Sequence, residues 1–158
     1  MKRFIFQPVD PFFVNQRFGE NLICVDLATN SKVISCDGNN PPAGYKSLYG
    51  PKGHTGIDLR TKHGQPVYAA CSGMVQQIDT NPKSGLDVRV SFVFEGKTYR
   101  YINEHLMGYQ VKLGDAVKIG DCIGWADNTG YSSGDHLHFA LEEKVGDKWV
   151  TIAPLPVM

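Results

Sequence analysis

A chain of 158 residues is long enough for one domain and able to bury roughly 68–70% of its unfolded surface, so it needs no metal or disulfide merely to fold. Its 42% hydrophobic and 11% aromatic content excludes a disordered chain. Sixteen basic residues against 16 acidic ones leave no net charge, hence no bulk positive field to hold nucleic acid or an anionic membrane.

In chain order, MKRFIFQPVDPFF puts Lys2 and Arg3 before an apolar trio that Gln7, Pro8 and Asp10 interrupt. It does not read as a signal peptide, and no run approaches the roughly 18 apolar residues of a spanning helix. Residues 19–50 read as a long irregular insertion, with a hairpin at LICVDL and KVIS and dense Pro/Gly/Asn punctuation from position 36 to 53. PVYAACSGMVQQID is expected to form a strand pair or one strand bent at Gly73. LDVRVSFVF alternates and turns at Glu95–Gly96 into KTYRYINEHL; LGDAVKIGD is turn-rich; DCIGWAD is a strand. HLHFALEEK and KWVTIA flank a turn at Val145–Gly146–Asp147. No window sustains the 3.6-residue period of a helix, so the expected class is mostly β: a single antiparallel sheet or sandwich domain with long loops.

The cysteines Cys24, Cys36, Cys71 and Cys122 form no C-x-x-C pair, which leaves a thiolate zinc site unsupported. Cys71 and Cys122 lie in apolar runs and are expected to be buried free thiols. Cys24 and Cys36 flank a polar stretch that they could bridge.

The histidines carry the chemistry. His136-Leu137-His138 sits in a strand pattern, where residues two apart share a face. Two imidazoles on one face can chelate a metal, or one can ligate while the other moves protons. Taken alone, such a pair more often marks a strand with two hydrogen-bonded histidines. His54-Thr-Gly-Ile-Asp58 also places both ends on one face. A straight strand would separate them by roughly 13 Å, so a bend is required, and Gly56 is where it costs least. Alone, that spacing is weak as well. Together, two imidazoles and one carboxylate are the ligand set of an open zinc site with a fourth position left for water. His105 could be a core or a surface histidine, and His63 reads as solvated loop.

GHTGIDLRTKHGQPVYAACSGMV, then YINEHL, then GDAVKIGDCIGWADNTGYSSGDHLHFAL, over residues 50–145, resemble the lysostaphin/LytM-type zinc metallopeptidases, with QRFG at 16–19 similar to the first strand of that family. The resemblance implies a small antiparallel β core around a narrow groove. It implies one Zn²⁺ per chain on His54, Asp58 and His138, with His136 and His105 as the catalytic histidines. Of these, His136 is the expected general base and His105 orients water and stabilises charge, although the division between the two stays open. Some members carry a tyrosine upstream of the first ligand, and Tyr45 and Tyr49 lie in that region. The 19–50 insertion departs from the family pattern and is expected to wall the groove.

The implied function is zinc-dependent endopeptidase action on the stems or cross-bridges of bacterial peptidoglycan, by a monomer with no membrane insertion. With no export signal apparent, the expectation is synthesis in the cytoplasm and access to the wall after lysis or from a virion, as for a phage endolysin. A fragment of an exported protein would look similar. The alternatives are a non-catalytic wall-binding or structural phage module and a zinc peptidase acting on protein.

Overall fold

The computed structural model describes residues 4–19 and 53–158, together with the main chain of Cys24–Asp26 and Ser31–Val33. Twelve strands are described: β1 (Val14–Gln16), β2 (Cys24–Asp26), β3 (Ser31–Val33), β4 (Ile57–Arg60), β5 (Pro66–Tyr68), β6 (Gly73–Asn81), β7 (Gly85–Phe94), β8 (Lys97–Tyr109), β9 (Ala116–Val117), β10 (Cys122–Ala126), β11 (His136–Val145) and β12 (Lys148–Ile152). The described residues contain no α-helix, and their one helical element is a short 3₁₀ turn at Leu155–Val157.

Ten strands form one open sheet with the order β1-β4-β11-β8-β7-β6-β9; β12 pairs with β11, and β10 joins β8 to β5. Every pairing is antiparallel. The expected class is therefore met by a single sheet rather than two packed ones. The β2–β3 hairpin is also present, as a separate two-stranded sheet. PVYAACSGMVQQID resolves into two strands that do not pair with each other, since β5 pairs with β10 while β6 pairs with β7 and β9. The first strand covers Val14–Gln16, so the chain leaves it just after the start of QRFG.

Alternation sets the two faces. Ile57 and Leu59 of β4, Leu137 and Phe139 of β11, and Tyr99 and Tyr101 of β8 are buried in one apolar cluster. Phe4 stacks on Phe94 at 4.4 Å, and its main-chain N–H donates to the Val157 carbonyl at 2.8 Å, so the first described residues and the last close the same core. The residues that alternate with them in β4 and β11, Asp58, His136 and His138, necessarily point to the opposite face. Cys71 and Cys122 are free but only half-buried, which corrects the expectation of buried thiols. Cys71 lies in the turn between β5 and β6, and Cys122 begins β10. Cys36, Tyr45, Tyr49 and the side chain of Cys24 lie outside the described residues, as does most of the insertion.

Candidate metal and catalytic centre

The centre forms where β1, β4, β11 and β8 run side by side. Asp58 is paired with both Gln16 and His138, and His138 is paired with Glu104 on its other side. Directly opposed residues share a face, so register alone brings Asp58 and His138 together. His54 precedes β4, and the bend anticipated at Gly56 is present: Thr55 and Gly56 form it and β4 begins at Ile57. The bend must fall on glycine, because a Cβ at Gly56 would sit 2.4 Å from the Phe139 carbonyl oxygen. The bend turns His54 back over Asp58, with its Nε2 3.1 Å from Asp58 Oδ1 and 3.1 Å from His138 Nδ1, while His138 Nδ1 lies 2.9 Å from Asp58 Oδ1.

The donor chemistry of this trio fits a cation. His54 Nδ1–H donates to the Arg17 carbonyl at 3.0 Å, which makes Nε2 of the neutral ring an acceptor. His138 Nε2 approaches Thr55 Oγ1 at 3.4 Å, so Nδ1 is the nitrogen turned inward. Two ring nitrogens and a carboxylate oxygen thus lie about 3 Å apart, and donor atoms that share one zinc at about 2.0–2.2 Å crowd this closely. The main-chain carbonyl behind His54 fixes its tautomer as a second-shell group does at metal sites.

Electrostatics agree. Burial alone would raise the Asp58 carboxyl, but hydrogen bonds and charge from His138 and His54 hold it well below the usual carboxylate range. Burial disfavours the charged form of His138, yet Glu104 and Asp58 outweigh burial and push its pKa up. His54 and His138 are both buried, so the site holds its ligands away from bulk water.

His136 and His105 lie beside the trio. His136 Nδ1–H donates to the Gly134 carbonyl at 2.8 Å, and its Nε2 lies 3.6 Å from Asp58 Oδ1. His105 Nδ1–H donates to the Thr129 carbonyl at 2.7 Å, and its ring centroid is 4.7 Å from that of His136. Burial, then the proximity of His136 and His138, lower the His105 pKa to about 4.

His105 reaches this face by a break in alternation. Asn103 and Leu106 pair with Val88 and Leu86, which leaves two residues of β8, Glu104 and His105, against one of β7, Asp87, so β8 carries an extra residue there. His105 adopts φ 64°, in the left-handed region rare for a residue with a side chain. The bulge lets Glu104 and His105 both leave the core face while Leu106 returns to it. Main-chain bonds from His105 N–H to the Ser84 carbonyl and from Asp127 N–H to the His105 carbonyl hold the kink.

All five sequence-identified residues thus meet at one place. What residue types could not reveal are the carbonyls of Arg17, Thr129 and Gly134 that set the imidazole tautomers. Thr129 and Gly134 stand within the N-T-G-x-S-x-G segment, the one signal that could have pointed to them. Thr129 also lines a cavity of about 550 Å³ walled by Pro82, Leu86, Leu106 and Met107.

An antiparallel sheet carrying such a ligand trio and two further histidines on one face places the chain among the β-sheet peptidases. It belongs to peptidase family M23, which matches residues 52–150. It is 36% identical over 86 residues to lysostaphin of Staphylococcus staphylolyticus, a match covering 54% of this chain and 18% of that protein. It is 37% identical over 109 residues to the glycyl-glycine endopeptidase ALE-1 of Staphylococcus capitis, covering 64% of this chain and 29% of the relative. Each match therefore spans less than a third of the relative's length. The structure is similar to the catalytic domain of lysostaphin from Staphylococcus simulans, with a TM-score of 0.61 and 33% identity over 69% of this chain and 80% of that one.

Proposed function

We propose that this protein is a zinc-dependent endopeptidase that hydrolyses peptide bonds in bacterial peptidoglycan. The single observation that carries the reading is the convergence of His54 Nε2, Asp58 Oδ1 and His138 Nδ1 within 3.1 Å of one another, beside two histidines whose Nδ1–H groups are committed to main-chain carbonyls. The wall as substrate is supported by the similarity to lysostaphin and to an enzyme named for glycyl-glycine cleavage.

When bound by His54, Asp58 and His138, zinc supplies Lewis acidity toward the scissile carbonyl and lowers the pKa of water. The protein's own groups do the rest. His136 presents Nε2 as the base that takes the proton of the attacking water and returns it to the leaving amine. His105, neutral and with Nδ1–H donated to Thr129, offers Nε2 only as an acceptor, so it orients the water. Charge stabilisation by His105, the other task expected of it, would require a second proton on a ring that burial keeps neutral. Asp58, ionised and turned toward three imidazoles, holds them in register.

Purified peptidoglycan incubated with zinc-loaded protein should release fragments carrying new free amino groups, and fragment masses identify the bond. Intact peptide chains after prolonged digestion, with zinc bound, would refute the reading.

A further inference from the structure

A second group of ligating side chains lies outside this centre, on the turn between β4 and β5 and the loop between β10 and β11. His63 Nδ1 is 2.9 Å from Asp127 Oδ1, and ligand atoms of His63, Asp127 and Asp135 all fall within 4.8 Å of one another. The three residues come from two segments that the main chain ties together. Gly64 N–H donates to the Ala126 carbonyl at 2.8 Å, Ala126 N–H to the Gln65 carbonyl at 2.8 Å, and His136 N–H to the Asp127 carbonyl at 3.3 Å. None of the ion pairs among the described residues joins Asp127 or Asp135 to a lysine or arginine. Two carboxylates this close repel, and among the described ion pairs His63 meets Asp127.

We propose that His63, Asp127 and Asp135 form a second divalent-cation site, weaker than the first and suited to a borderline transition ion such as Zn²⁺. An imidazole with two carboxylates fits that class better than Ca²⁺ or Mg²⁺, which take sets of oxygen atoms. The site is weaker because the His63 side chain is 66% exposed and water must complete the coordination. Its position gives it leverage. Asp127 touches both catalytic histidines through its main chain, donating N–H to the His105 carbonyl at 3.0 Å and accepting from His136 N–H. Asp135 immediately precedes His136. An ion held here clamps the loop that carries Thr129, Gly134 and His136, and so steadies both imidazoles from outside the groove.

The test counts zinc by equilibrium dialysis of metal-freed full-length protein against rising zinc concentrations. Wild type should take up two ions per chain in two steps. His63→Ala and Asp135→Asn should each keep the tight step and lose the weak one, and His138→Ala should do the reverse. Both substituted side chains are exposed, and the retained tight step reports an intact fold. A wild type that shows only the tight step, or a weak step surviving in either loop variant, would overturn the second site. Absence of the tight step alone would count against the function proposed above and leave this site standing.

Discussion

Replacing Gly56 with alanine puts a methyl group 2.4 Å from the Phe139 carbonyl oxygen and 2.9 Å from Nε2 of His138. Carbon–oxygen contacts of this kind settle near 3.3–3.6 Å, so something must move by about 1 Å. The oxygen cannot retreat cheaply, because Phe139 is paired with Ile57 in the β4–β11 ladder. The imidazole can, but it is the third of the proposed metal ligands. Overpacking of this sort costs about 1–3 kcal/mol, or roughly 2–4 °C of Tm per kcal/mol in a chain of this size. Displacement of a ligand through its supporting shell costs about 10–100-fold in metal affinity. Gly56→Ala should therefore lower both Tm and zinc affinity, measured by thermal denaturation and by competition with a chromogenic chelator. Gly134→Ala is the control, since a Cβ there meets nothing within 4 Å although the residue neighbours His136. Wild-type zinc affinity in Gly56→Ala would refute the claim that this bend sets the ligand geometry.

His136→Ala and His105→Ala should each retain zinc, by metal analysis, while losing about 10²–10⁴ in turnover, the usual worth of a general base or a group acting on the attacking water. Thr129→Val removes the hydroxyl that donates to the Leu106 carbonyl at 2.7 Å and accepts from Leu86 N–H, loosening the carbonyl that orients His105. The expected result is a kcat reduced about 10–100-fold with KM little changed, restored by Thr129→Ser, consistent with a 1 Å misplacement of a catalytic group. His105, with a folded pKa of about 4 against about 6.5 unfolded, binds fewer protons in the native state, so its contribution to stability is intact above pH 6.5 and lost as pH falls toward 4. Chemical denaturation should show wild type losing about 3 kcal/mol more than His105→Ala over that window, and equal losses would contradict the assignment.

The readable parts of the sequence were those governed by local geometry. The parity of His136 and His138, and the need for a bend at Gly56, follow from strand alternation and glycine's small size, and both are present in the fold. The turns at Glu95–Gly96 and Gly146 were legible from the same chemistry. The placement of His105 was not, because regular alternation from Tyr99 and Tyr101 would have sent it into the core. Only the extra residue in β8, held by Ser84 and Asp127 from distant segments, turns it out. The carbonyls of Arg17 and Thr129 were equally silent, since every residue carries one and only tertiary contact selects among them. The half-burial of Cys71 and Cys122 depended on where β5 and β10 attach to the sheet, a matter of topology rather than of local pattern.

The most direct test is digestion of purified peptidoglycan by metal-freed protein, before and after addition of one equivalent of zinc, scored for new amino groups and new reducing sugar ends. A centre built from His54, Asp58 and His138 requires amino groups to appear only after zinc is added, no reducing ends at any point, and no response in His138→Ala. Cleavage that proceeds equally without zinc, or that yields reducing ends instead of amines, would contradict a zinc-dependent endopeptidase.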